Sequence, residues 1–331
     1  MALGGETSVS WVCDVEPGPC RLAEVRWSDV PNLGDITQVD WRLVESVDVI
    51  VGGSPCQDLS LAGRRAGMAS GTRSGLWDSM RVAIETIRPR LVVWENVVGA
   101  LSGEARSNVE RVPGLLGAGS DGPVLRAAGR VCGDLAGLGY DSRWEVVRAC
   151  DVGAPHRRAR VFLVAHPHGQ PWGQPGGSVS GSAPFGRAYG LACRRDRASG
   201  PLMSTRLLPT PQATNSTYSG SGYGANLHEV VVREMSRGRF GEYAQAVELW
   251  EWVLGRRAPA PTKAARRQGG KPRLSEEFVE FLMGVPEDHV TGGDLQLTRE
   301  QKLRLLGNGV VPIQAAVGIF RLLQAGQGVG A

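Results

Sequence analysis

A cysteine, a glutamate and a pair of arginines stand in this 331-residue chain at spacings that could do chemistry. Cys56 lies in Gly52-Gly53-Ser54-Pro55-Cys56-Gln57-Asp58-Leu59-Ser60, directly after Val47-Asp48-Val49-Ile50-Val51. The β-branched run reads as a buried strand of a parallel sheet, and the glycines and polar residues after it read as a loop. Open α/β sheets place their active sites in loops at the carboxyl ends of strands. A lone cysteine is more often a small buried hydrophobe. The neighbours change that balance: Pro55 fixes φ and removes a donor, the glycines permit close backbone approach, and Gln57 and Ser60 supply polar contacts. A thiol held this way is a candidate nucleophile.

Glu95 follows the apolar run Leu91-Val92-Val93-Trp94, again at a strand end. On its own it could cap the next helix. Desolvated at a buried strand end, however, its carboxyl pKa rises, which suits an acid working near neutral pH. The third block, Gly153-Ala154-Pro155-His156-Arg157-Arg158-Ala159-Arg160-Val161-Phe162, places cations just before another apolar strand. A solvated surface cluster would have the same composition. Beside a thiol, the same charge lowers the thiol pKa and raises the thiolate fraction.

Together these blocks resemble the cytosine-5 DNA methyltransferases. Gly-x-Pro-Cys-Gln after a strand, Glu95-Asn96-Val97, the arginine block and Gly307-Asn308-Gly309-Val310-Val311-Pro312 come in that family's order. The resemblance runs from about Trp11 to Leu323. It implies that Cys56 attacks C6 of a cytosine and Glu95 grips the N3 edge. Arg160 would reach the base O2, and Arg158 would sit beside the nucleophile and the flipped backbone. Gln57, Ser60 and Asn96 would contact the substrate. His156 stands where the family usually has glutamine. The implied cofactor is S-adenosylmethionine. Asp14 would meet its ribose, Asp35 and Ile36 its adenine, and Pro55, Asn308 and Val310 its methionine end and the site wall.

One block of the family is not found. A Phe-x-Gly-x-Gly-Gly loop after the first strand would cradle the methionine part of the cofactor, and only Met1–Thr7 precedes Ser8. The expectation is an N-terminally truncated fold whose edge next to the gap is unpaired. A catalytically silent DNA-binding remnant therefore stands as an alternative reading. So do a thymidylate-synthase-like pyrimidine enzyme and, with His156 facing Cys56, a thiol hydrolase.

The elements that must position these residues follow a βα alternation. Ser8–Asp14, Val47–Val51, Leu91–Trp94, Trp144–Ala149 and Arg160–Ala165 read as strands. Pro19–Trp27, Trp77–Ile87, Leu125–Leu138, Tyr243–Leu254, Ser275–Met283, Thr298–Leu306 and Ile313–Leu323 read as helices. The fold class is α/β, a doubly wound parallel sheet of the Rossmann-like, S-adenosylmethionine-dependent methyltransferase type. Residues 1–166 form the catalytic domain and 167–298 an inserted target-recognition domain that opens on a Gly/Pro/Ser-rich linker. Helices in 299–331 rejoin the catalytic domain.

The net charge of +4 hides an asymmetry. Between Arg187 and Arg273 there are 15 Lys/Arg against 6 Asp/Glu, so a basic module sits on a mildly acidic remainder. Such a module suits a polyanion, and the expected partner is double-stranded DNA. No run of 18 apolar residues marks a membrane span, and the six cysteines show no zinc spacing. Reduced thiols, a cytoplasmic monomer and no metal are expected, with a cognate restriction enzyme as a possible companion.

Overall fold

The computed structural model describes residues 7–53, 76–101, 104–105, 125–170, 184–197, 206–213, 226–234, 240–265, 270 and 272–325. Four strands form its main sheet: β1 (Val49–Gly52), β2 (Leu91–Val97), β3 (Tyr140–Arg148) and β4 (Ala159–Pro167). Their spatial order is β1-β2-β4-β3. β1 runs parallel to β2, with Val51 opposite Val93. β4 is antiparallel to both of its neighbours, which corrects the expected all-parallel sheet to a mixed one. The reason is chain length. The link Ala149–Arg158 is shorter than the dozen or more residues a parallel crossover requires, so it can only fold back as a hairpin.

Each face of the sheet is covered by helices whose apolar spacing was visible in the sequence. α2 (Trp77–Ile87) and α3 (Ala127–Gly137) bury Trp77, Met80, Ile84, Val131 and Leu135 against Ile50, Val92, Trp94, Val161 and Leu163. α9 (Pro312–Ala325) closes the opposite face, packing Leu322 and Leu323 on Leu91, Val93, Phe162 and Val164. The alternation of a strand explains this division, since successive side chains point to opposite faces. The expected strand Ser8–Asp14 does not form. Val12 makes a single parallel bridge to Asn32, and no described strand lies beside this segment to extend the ladder. Among the described residues β1 is the edge of the sheet, and its Val51 is 68% exposed.

A third apolar cluster gathers α4 (Pro184–Arg197), α5 (Leu227–Glu234), α6 (Ala244–Leu254), α7 (Glu276–Leu282) and α8 (Arg299–Asn308) around Trp250, Phe278 and Phe281. Ala149, Val152 and Ala154 of the hairpin link belong to the same cluster. α4 and α5 lie where the sequence reads as linker and irregular basic chain. α4 buries the small Ala188 and Ala192, which weakens its helical pattern, whereas α5 buries Leu227, Val230 and Val231 within eight residues. α7 and α8 start one residue inside the expected helices, because Ser275 and Thr298 act as their caps. Ser275 Oγ accepts from the Phe278 amide, and Thr298 and Gln301 form a reciprocal capping box. α8 and α9 together are long and apolar enough to cross a membrane by composition alone. They are two helices of a packed core, separated at Gly309, with Leu303, Leu306, Val317 and Phe320 buried.

Candidate active site

The register of β2 against β4 builds the centre of the site. Glu95 pairs with Phe162, and Val97 pairs with Arg160. Glu95 and Arg160 are therefore diagonal neighbours on one face, within reach of two long side chains. Arg160 Nε lies 3.0 Å from Glu95 Oε1, and the two side chains remain 15% and 23% exposed. That is dry enough to matter electrostatically and open enough for a ligand to enter. Burial pushes the Glu95 carboxyl above the ordinary carboxylate range, while the charges of Arg160 and Arg158 pull it back only in part. The outcome is an acid that keeps its proton to higher pH than a solvated glutamate.

The parallel register of β1 on β2 continues toward the same point. Gly52 pairs with Trp94, so Gly53 comes next to Glu95. A Cβ at Gly53 would lie 2.8 Å from the Glu95 carbonyl oxygen and 3.4 Å from its Oε2. Only glycine permits that approach, so the loop that carries Cys56 departs from the edge of the acid. Pro55, Cys56, Gln57 and Ser60 themselves lie outside the described residues. Asn96 points to the other face of β2 from Glu95. It is buried, and its Oδ1 accepts from the Val97 amide.

Arg158, two residues before Arg160, is held in a different way. β4 begins at Ala159, and the φ of 24° at Arg158 breaks the extended alternation just before it. Its buried guanidinium donates to the carbonyls of Pro211 (3.0 Å), Gly307 (3.0 Å) and Gly309. Its backbone N–H donates to Thr210 Oγ1, and its carbonyl accepts from Gln314 Nε2. Arg158 thus ties the segment 206–213, the α8–α9 turn and α9 to the start of β4. Its charge reaches Glu95 through space. Gly307 shares this joint: a Cβ there would lie 2.1 Å from the Ala213 nitrogen.

His156 is fully buried, and its Nε2 donates to the Leu282 carbonyl at 3.0 Å. Burial lowers its pKa to about 3, helped by the charges of Arg158 and Arg160. A ring so held is a strut between the hairpin link and α7 and too weak a base to activate a thiol, which removes support from the hydrolase reading. Gln314 and Asn32 went unnoticed in the sequence. Gln314 Nε2 donates to the Val147 and Arg158 carbonyls, pinning α9 to both strands. Asn32, whose only signal was its place in a Pro-Asn-Leu-Gly-Asp turn, accepts from the amides of Asp14 and Gly34.

Asn32 thereby links Asp14 to the turn that carries Asp35. Asp14 Oδ1 accepts from the Glu16 amide, and Asp35 Oδ1 accepts from the amide and hydroxyl of Thr37. These hydrogen bonds hold the exposed Asp35 carboxyl below its ordinary pKa, so it is ionised. Ile36 packs at the rim of the α2–α3 core. Asn308 is exposed at the end of α8, and Val310 packs against the α9 face of the sheet.

This layered mixed sheet, with an acid and an arginine at its strand ends, is a Rossmann-like methyltransferase fold. A solved structure of a mutant DNMT2 from Spodoptera frugiperda superposes with a TM-score of 0.53 at 14% identity, covering 96% of this chain and 92% of that one. A sequence profile for the C-5 cytosine-specific DNA methylases matches residues 8–182, more than half of the chain. The chain belongs to that family. Among curated relatives, the DNA N-6-adenine-methyltransferase of Escherichia phage P1 is 30% identical over 189 residues, which is 47% of this chain and 25% of that protein. The type II methyltransferase M.NlaIV of Neisseria lactamica is 25% identical over 158 residues, 48% of this chain and 34% of that protein. The chain thus spans about a quarter to a third of the length of these relatives.

Proposed function

We propose that this chain methylates C5 of a cytosine in duplex DNA, using the residues gathered at the ends of β1, β2 and β4. The observation that carries this reading is the Glu95–Arg160 pair, with the Gly53 backbone packed against Glu95 so that the Cys56 loop starts beside the acid. C5 and C6 are inaccessible inside a base stack, so the target nucleotide must swing out of the helix. The Cys56 thiolate then forms a bond from Sγ to C6. The C5=C6 electron pair shifts to C4=C5, the C4=N3 pair moves to N3, and N3 takes the Glu95 proton. Arg160 supports O2, and the enamine makes C5 nucleophilic. S-adenosylmethionine supplies the methyl group as an electrophile. As C5 takes the methyl group, N3 returns its proton to Glu95; loss of the C5 proton to water then re-forms C5=C6, expels the thiolate and restores the ring.

The residues present suit the adenosine half of that cofactor. Asp14 and Asp35 each have one carboxylate oxygen engaged by the protein and a second to offer a hydroxyl or an amine, and Ile36, next to Asp35 in the chain, would provide an apolar surface. Asn308 and Val310 would close the wall on the α9 side. We further assign residues 1–166 and 299–331 to catalysis and 167–298 to target recognition, with Asn215–Tyr223, outside the described residues, reading bases. The charge of the inserted segment supports duplex DNA as its partner. The type II relatives support a companion restriction enzyme.

Trapping on a duplex containing 5-fluorocytosine tests the reading, because C5 then carries fluorine where a proton must leave. The wild-type protein, given S-adenosylmethionine, is expected to form a covalent adduct that survives denaturing electrophoresis. Cys56→Ser should bind the same duplex without forming one. Methylation of adenine N6, as the name of the phage P1 relative describes for that protein, would need no thiol adduct. Methyl transfer by the serine variant at the wild-type rate would remove Cys56 from the mechanism.

A further inference from the structure

A groove of about 520 Å³ is lined by Arg157, Arg206, Leu207, Leu208, Pro209 and Thr210. All but Arg157 lie beyond the residues matched by the family profile, which ends at residue 182. The floor of the groove is tied to the catalytic hairpin. Leu208 bridges His156, its amide donates to the Pro155 carbonyl at 2.8 Å, and Thr210 Oγ1 accepts from the Arg158 amide. One wall is Arg206, steered by Glu242 at 2.6 Å and lying over the Tyr243 ring at 5.9 Å. The other is Arg157, which is exposed and makes no ion pair among the described residues.

Two guanidinium groups and one carboxylate leave the groove with one net positive charge. Arg157 is also three residues from Arg160. A planar guanidinium fork matches phosphate oxygens in a way a hydrated ammonium does not. We infer that Arg157 and Arg206 together clamp a single backbone phosphodiester of the DNA next to the flipped nucleotide. This inference rests on the proposed DNA substrate and names the part of the surface that holds it. Anchoring the backbone there would fix how far the extruded base travels toward Glu95, and the clamp reads no sequence, because phosphate contacts position a duplex without specifying its bases.

The test is equilibrium binding of a fluorescent duplex of arbitrary sequence across a salt series. For wild type, log affinity should fall linearly with log salt. Arg157→Gln and Arg206→Gln should each weaken binding at physiological salt by about three- to tenfold, while the remaining cation keeps most of the slope. Because both arginines hold the same phosphate, the double variant should lose about 0.9 of slope, the share of one phosphate. Arg206→Lys keeps the charge and should keep the slope. An unchanged slope in the double variant, with wild-type binding intact, would overturn the clamp while leaving the methyltransferase reading standing. A double variant losing about twice that slope would overturn the shared site. If wild type fails to bind duplex DNA at any salt, the DNA methyltransferase reading falls and the clamp falls with it.

Discussion

Two arginines, Arg158 and Arg160, are separated by one alanine and hold two regions of different character. At the strand end, Arg160 meets the charge of Glu95 in a partly open pair. At the joint behind it, Arg158 is buried and meets carbonyl dipoles from the segment 206–213 and the α8–α9 turn. In an unbroken strand both side chains would share a face. The positive φ at Arg158 prevents this, at a conformational cost of roughly 1–3 kcal/mol that the surrounding hydrogen bonds offset. The comparison teaches that charge in a motif does not by itself mark chemistry. A guanidinium opposite a desolvated carboxylate adjusts its acidity, whereas one satisfied by carbonyls holds segments together.

Glu95→Gln should break the strand-end region most severely. Removing the proton donor at N3 is expected to lower kcat by about 10²- to 10⁴-fold with duplex binding retained, measured by radiolabelled methyl transfer. A glutamine variant within a factor of two of wild type would exclude acid catalysis at this position.

The two arginines should then separate by readout. Arg158→Met strands carbonyls at Pro211, Gly307 and Gly309 and is expected to cost about 3–5 kcal/mol of stability in chemical denaturation. Arg160→Gln removes a partly exposed pair and should cost about 0–1 kcal/mol, while reducing kcat at least about tenfold. Equal stability losses in the two variants would erase the distinction drawn between the regions.

A subtler effect lies in pH. In the proposed mechanism methyl transfer needs the protonated form of Glu95, so the rate should fall on the alkaline side as pH rises through its elevated pKa. Arg160 lowers that pKa. In Arg160→Gln the alkaline limb of kcat should therefore move to higher pH, although the maximum rate is smaller. A shift to lower pH would mean that another group titrates.

The smallest effect concerns His156 behind the joint. Its folded pKa of about 3 lies below the ordinary 6.5, so its contribution to stability is present above pH 6.5. That contribution is lost as pH falls toward 3, at up to about 1.4 kcal/mol per pH unit. His156→Gln keeps a donor for the Leu282 carbonyl and has nothing to protonate. Between pH 6 and 4 the variant should lose less thermal stability than wild type, with similar midpoints at pH 8. Parallel acid profiles would show that the ring is not the titrating strut.

The shared core also limits which experiments are informative. Excising residues 201–270 would remove Trp250, Val247 and Tyr243 from a cluster that includes the hairpin link and α8. Loss of DNA binding by such a deletion would report unfolding, so single surface charges are the better probe of the inserted segment.

The sequence by itself determined the elements whose signals are local. The apolar runs at Val47–Val51 and Leu91–Trp94, the apolar spacing of Trp77–Ile87 and the helices opening near Ser275 and Thr298 were all legible, because these signals act within a few residues. The acid at a strand end was legible for the same reason. Tertiary structure alone decided what depends on residues far apart in the chain. The antiparallel run of β4 sets Arg160 diagonal to Glu95 through strand register. The carbonyl acceptors of the Arg158 guanidinium come together only where residues 211, 307 and 309 converge. α4 forms against a core contributed by other segments, and its own small buried Ala188 and Ala192 could not announce it.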